Sequence, residues 1–385
     1  MSASSVFVRD TPLFIESATG RLEKFPSNRW LRWGLRLIWA LPFIAIAIWF
    51  NASSGGDWSG TANGVLAERV SSLPWGSSEV ETLGQLYPPI TSLIALVVPG
   101  GALGLAIVGC LVGGTMVQLV LQSLIRKGFV VPVRLVFVLT LALTPLWAYI
   151  VTTSFEATLG LTFFGLGMID LVRFVTFANT QAGFRAGLLF AASAFSDSTG
   201  LFAALVAAAA STFIIRSRDG SRAANAIVVI FPTIAFLGSL MLLGVIFRVG
   251  PLAMIRGDLA WNAERAATVV AYLFSPSGLL YLAPTIVVII TALFLRFPGV
   301  GLTAVLLTGV TLIAFIVGLT PTGVAGINYT MMLLLAVAVV PLALTTRDRI
   351  LTIATSVVLW GIGWAQAFDN ATVRAWMGVL TGGAS

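Results

Sequence analysis

The chain contains no histidine, a single cysteine and few charges: only 10% of its 385 residues are Asp, Glu, Lys or Arg. Each shortage excludes something. One cysteine, Cys110, cannot form an internal disulfide. Without histidine, and with the lone thiol inside an apolar run, zinc, haem and blue-copper sites lack their usual ligands. Histidine general-base chemistry is also excluded, so acid–base work falls to carboxylates, Lys or Tyr. The shortage of charge is incompatible with a soluble domain of this length, which would need far more to cover its surface.

What is present points to the bilayer. The chain is 58% hydrophobic, with a mean hydropathy of +1.00. Many apolar runs approach the ~20 residues that cross a membrane, and they are continuous rather than alternating, which excludes a transmembrane β-barrel. The expectation is an all-α, polytopic transmembrane bundle of about eleven spans. They are placed near 31–50, 102–124, 131–151, 158–177, 186–196, 200–215, 225–247, 277–295, 300–318, 329–345 and 350–367. The pair at 186–215 is short, folded around SDSTG, and its first member is expected to be truncated or partly re-entrant.

Residues 1–30 are polar and of mixed charge, without the short apolar core and small-residue cleavage site of a signal peptide, so the first apolar helix is expected to remain as a span. An N-terminus in the cytoplasm leaves only Arg69, Arg248, Arg256, Arg265 and Arg374 outside, out of 22 basic residues. That is the bias expected of a multi-pass protein of the cell's inner (plasma) membrane. The pI near 10.3 follows from these cytoplasmic loops and calls for no nucleic acid. On this layout, 1–30 is a cytoplasmic segment, 31–367 the transmembrane domain and 368–385 an extracytoplasmic tail. Two outside loops are long, 51–88 and 248–276. They carry Trp58, Trp75 and Trp261, which suit helices lying flat at the interface. No internal repeat is evident, which disfavours an inverted-repeat transporter.

The candidates for chemistry are mostly outside acids. Asp57, in GGDWSG, sits among small residues, where it could meet a ligand or cap the segment 58–70. Glu79 and Glu81 read as solvated loop acids. Asp197, in AFSDSTG, lies at a turn near membrane depth, where a carboxylate is usually functional or paired, or else caps the next helix. Glu156, in TTSFEATLG, stands at a helix start, where it also complements the helix dipole. Asp170 and Arg173, at i,i+3 in IDLVR, read as a structural pair. Arg248, Arg256 and Arg265 suit phosphate binding or general attraction to membrane lipid headgroups. Tyr87-Pro88-Pro89 stiffens the end of the first loop. A short helix over 90–98 follows, broken by Pro99-Gly100-Gly101.

Taken in order, these parts resemble the GT-C superfamily of polyprenyl-phosphate-sugar-dependent glycosyltransferases. GDWSGTANGVLAERV is similar to the family's first-loop acidic pattern, QLYPPITSLIALVVPGG to its "YPPL" element, and AGLLFAASAFSDSTGLF to its helix-turn. RVGPLAMIRGD looks like a loop segment of related bacterial membrane proteins. Trp58 stands where the family's second acid usually falls, and Asp197-Ser198 where its helix-turn carries a basic residue. The resemblance implies transfer of a sugar from a polyprenyl-phosphate donor to an extracytoplasmic glycan, lipid or protein acceptor, with inversion. It implies Asp57 as base, with Asp197 and Glu156 as further carboxylates, and Tyr87, Arg248, Arg256 and Arg265 at the lipid phosphate. A divalent cation between carboxylates is compatible with this chemistry but not required. A transporter working through midplane residues such as Gln118 or Asp170, and a non-catalytic scaffold, are the alternatives. Glycine-rich stretches such as GALGLAIVG suit close helix packing, within one chain or between chains.

Overall fold

The computed structural model describes residues 24–74, 84–126, 129–177, 179–215, 222–253, 255, 260–320, 323–339 and 345–382. The described residues form helices and connecting loops, with no strand among them. In chain order the helices are α1 (Arg29–Ser53), α2 (Ala62–Ser71), α3 (Pro89–Val97), α4 (Gly101–Arg126), α5 (Val131–Ala142), α6 (Pro145–Thr153), α7 (Phe155–Phe177) and α8 (Thr180–Ser196). There follow α9 (Gly200–Ala210), α10 (Arg222–Ile246), α11 (Ala263–Leu273), α12 (Pro276–Phe294), α13 (Pro298–Ile316), α14 (Ile327–Val339), α15 (Thr346–Asp369) and α16 (Ala371–Thr381).

Among the described residues, seven helices are long and apolar enough to cross a membrane: α1, α4, α7, α10, α12, α13 and α15. The α5–α6 pair adds an eighth if its 53° bend lies within one span. The bend has a local cause. Pro145 supplies no N–H and disfavours helical geometry at Thr144, which is extended (φ −87°, ψ 126°). Helices occupy all eleven stretches expected from hydropathy, but the one at 186–196 starts earlier, at Thr180, and runs 17 residues, while that at 200–215 and the described part of that at 329–345 are shorter, at 11 and 13 residues. The 11 residues of α9 rise only about 16 Å, against about 30 Å of hydrocarbon.

Burial sorts the helices into inner and outer. Every residue of α14 is buried, as is 89% of the apolar window of α7. Both are enclosed on every side by other helices, and the charged residues of α7, Glu156, Asp170 and Arg173, are ion-paired within the protein. For α10 the figure is 11%, and Ile227, Phe231, Ile234 and Leu242 point outward. An apolar face of that extent is stable only against lipid. The chain is thus a multi-pass helical membrane bundle. Helices approach closely where a side chain is missing: a Cβ on Gly114 of α4 would lie 2.6 Å from the Ala40 nitrogen of α1.

Proline in α12 shows how backbone groups are satisfied away from water. Pro284 cannot donate to the Leu280 carbonyl one turn back. That carbonyl instead accepts from Gln366 Nε2 of α15, at 2.7 Å. An unsatisfied carbonyl in such a setting costs roughly 1–3 kcal/mol. Gln366→Leu is therefore expected to lower the unfolding midpoint in detergent. Pro284→Ala should recover most of the loss by returning a helical N–H; equal losses in the presence and absence of Pro284 would refute the assignment.

Candidate functional site

The site forms where α6 ends and α7 begins. Ser154 breaks the chain between them and caps α7 by accepting from the Ala157 N–H. Glu156 falls in the first turn of α7, where its charge complements the helix dipole. It is only 4% exposed. Three further elements converge on it.

The first is α2, brought in by Asn63. The Asn63 side chain accepts from the Phe155 N–H at 2.7 Å and donates to the Thr152 carbonyl at 3.2 Å, so it pairs backbone groups left over by the α6–α7 break. Two turns on, Arg69 Nη2 meets Glu156 Oε1 at 2.7 Å and donates to Ser92 Oγ at 3.0 Å. The Arg69 side chain remains 29% exposed, and its Nε is buried without a partner.

The second is α3. Thr91 and Ser92 are fully buried and face inward. Thr91 Oγ1 lies 3.5 Å from Glu156 Oε1 and donates to the Ser196 carbonyl at 3.0 Å. Tyr87, just before this helix, donates its hydroxyl to the Ala194 carbonyl at 3.1 Å. Expected at a lipid phosphate, Tyr87 is instead 4% exposed, with its ring in an apolar cluster that includes Ala191, Phe195 and Ile255. Its hydroxyl ties the start of α3 to the end of α8.

The third is the α8–α9 turn, which carries Asp197, 2% exposed. Its carboxylate accepts from the Thr199 N–H at 3.3 Å and from the Thr199 hydroxyl. Asp197 seats against Gly160, four residues along α7 from Glu156 and so on the same face. A Cβ on Gly160 would lie 2.6 Å from the Asp197 Cβ. Burial pushes the Asp197 carboxyl up to about 6; the Thr199 hydroxyl opposes the shift, and the charge of Glu156 adds to it. Two carboxylates therefore lie within electrostatic reach of each other, and one of them, Glu156, is paired with the partly exposed Arg69. Gly160→Ala is expected to displace Asp197 and to destabilise the fold by about 1–3 kcal/mol. An unfolding midpoint equal to wild type would show that the turn can shift freely.

The other expected site residues lie elsewhere. Asp57 is exposed, and its Oδ1 accepts from the Ser59 N–H at 2.9 Å, which holds its carboxyl below the usual range. It does not cap α2 either; Thr61 does, accepting from the Gly64 N–H. Its neighbour Trp58 is not an interfacial anchor. It is 7% exposed, edge-on to Phe50 at 5.0 Å, with its indole N–H donated to Asn51 Oδ1. Trp261 is exposed, while Trp75, Glu79, Glu81 and Arg256 lie outside the described residues. Arg248 and Arg265 are both exposed and make no ion pair or hydrogen bond with Glu156 or Asp197. Gln118 and Asp170, the residues a transporter would use, are tied up. Gln118 donates to the Phe25 carbonyl at 2.7 Å and accepts from Arg36, and Asp170 pairs with Arg173 and Arg185.

Arg69, Thr91, Ser92 and Asn63 were not singled out as site residues from the sequence. The one available signal was an arginine in a short, otherwise mild helix on the side poor in basic residues. Among the described residues no three His, Cys, Asp or Glu side chains gather as a metal cage. Glu156 and Asp197 are the two carboxylates that a cation would bridge, and Glu156 is already paired with Arg69. Comparison with protein-family models, with curated proteins and with solved structures gave no match.

Proposed function

We propose that the chain is a membrane glycosyltransferase of the GT-C type, using a polyprenyl-phosphate sugar on the extracytoplasmic side, with Glu156 as its base. The observation that carries the reading is the convergence of the buried Glu156 and Asp197 with the partly exposed Arg69, which α2 brings onto Glu156 beside the short helix α3. In this scheme the eleven helical stretches are eleven passes, the short α8, α9 and α14 being enclosed by longer neighbours. The N-terminus lies in the cytoplasm, and the cluster at the opposite end.

The chemistry assigned to each group follows from its place. Glu156 takes the proton of the acceptor hydroxyl. The acceptor oxygen attacks the anomeric carbon from one face, and the carbon–oxygen bond to phosphate breaks. Its electron pair leaves with the polyprenyl phosphate, and the configuration inverts. Arg69 holds Glu156 in place and turns its remaining N–H groups to the leaving phosphate. Asp197, behind Glu156, positions it through charge.

The test is sugar transfer by the purified protein in lipid vesicles, offered a panel of polyprenyl-phosphate sugars and hydroxyl acceptors. Turnover above empty vesicles supports the reading; none across the panel overturns it. A non-catalytic scaffold is favoured by one observation, the exposed Asp57 beside a core Trp58. It predicts that Glu156→Gln leaves cellular function intact.

A further inference from the structure

The carboxylate pair is shut in. Glu156, Asp197, Thr91 and Ser92 are each at most 4% exposed, so a substrate reaches them only if a covering element moves. The three covers differ in how they are held. The α8–α9 turn is part of the bundle. The α2 helix is fixed by Asn63 to backbone on both sides of the α6–α7 break.

The α3 helix is held differently. Pro88 and Pro89 lie at its start, and at its other end Pro99 is followed by Gly100 and Gly101, with φ of +88° and +56°, a backbone open to glycine and strained for other residues. Its inner polar ties are the hydrogen bonds of Thr91, Ser92 and Tyr87 already described. Its outer face is apolar: Leu93 is 53% exposed, Leu96 37% and Val97 82%. The inner apolar residues Ile90 and Ile94 pack on Leu66 and Val70 of α2, Leu105 of α4, and Phe155 and Leu159 of α7. Against lipid such apolar contacts are replaced at little cost, so the hydrogen bonds decide whether the helix stays down.

We propose that α3 is a hinged lid over the Glu156–Asp197 pair that opens toward the bilayer, so that the ligand passing beneath it is a membrane lipid bearing a phosphate. The lipid chain runs past Leu93, Leu96 and Val97 and its headgroup reaches Arg69. This rests on the proposed function for the identity of the headgroup, but the movement of α3 does not.

The experiment uses the full chain in lipid vesicles with the buried Cys110 replaced by Ala. A reporter thiol is placed under the lid by Ser196→Cys and a control thiol by Thr152→Cys, both positions being fully buried. Labelling by N-ethylmaleimide is expected to be slow at 152 and faster at 196. Adding Thr91→Val, which removes the hydroxyl that donates to the Ser196 carbonyl, should speed labelling at 196 by about tenfold, one hydrogen bond's worth of opening, and leave 152 unchanged. Polyprenyl phosphate should protect position 196 where glycerol phosphate does not. Equal rates at the two positions, or a rise at both with Thr91→Val, would mean general loosening and would overturn the lid. Protection by both phosphates, or by neither, would overturn the lipid route. None of these readouts requires sugar transfer, so an inactive panel and an immobile α3 are separate failures.

Discussion

Glu156→Gln should lower sugar transfer by roughly 10²–10⁴-fold, the usual contribution of a general base, while Asp57→Asn should stay within about twofold of wild type. The contrast follows from where the two carboxylates sit. Glu156 is held by Arg69 at 2.7 Å inside the bundle, and the amide of Gln keeps its shape without its charge. Asp57 is in water, accepting from the backbone two residues on, and Asn can make the same turn. The measurement is initial rate at saturating donor, with unfolding midpoints of both variants taken in parallel. A collapse with Asp57→Asn and normal rates with Glu156→Gln would return the base to the first loop.

Asp170→Ala should be among the most damaging single changes to stability, at roughly 3–5 kcal/mol, because it takes the carboxylate from a buried guanidinium. Arg173, on the same helix, is 1% exposed and donates to Asp170 Oδ1 at 2.8 Å; Arg185, on α8, meets Oδ2 at 2.9 Å and is 47% exposed. The loss should therefore show as a lower unfolding midpoint and poor recovery from membranes. Arg185→Ala should do much less, since its charge has water. Near-equal effects of the two changes would contradict this division.

How much of this was legible in the sequence depends on the distance between partners. The Asp170–Arg173 pair could be read from i,i+3 spacing alone. The α3 helix was bracketed by proline at one end and Pro99-Gly100-Gly101 at the other, and its expected bounds, 90–98, sit within a residue of Pro89–Val97. Arg185 could not be assigned to Asp170, because only the packing of α8 on α7 brings it there. The same holds for Arg69 and Glu156, 87 positions apart, which each looked like an isolated charge on the outside.

The exposed position of Asp57 has a local reason. Small neighbours make a residue accessible, but they also free it to fold back on its own backbone, and Asp-x-Ser closes an Asx turn. Trp58 was expected at the interface because tryptophan favours it. With Asn51 in the last turn of α1 to accept its N–H, and Phe50 beside it, burial satisfied both the ring and the donor. Ser154 makes the cap of α7, while Glu156 was noted for its charge at a helix start, and its place in the first turn of α7 fits that role. Only the arrival of α2 and α3 gives it a second one.

The functional reading stands on the Glu156 end of the bundle facing away from the cytoplasm. Asp57 lies at that end, on the exposed turn that leads from α1 to α2, and Ser27 lies at the other, just before α1. The most direct measurement is labelling of single thiols, Asp57→Cys and Ser27→Cys, in a Cys110→Ala background, by a membrane-impermeant maleimide on intact cells. The expected result is that Asp57→Cys labels at once and Ser27→Cys only after the membrane is opened. The reverse pattern would put the carboxylate pair on the cytoplasmic side and contradict an extracytoplasmic sugar transferase.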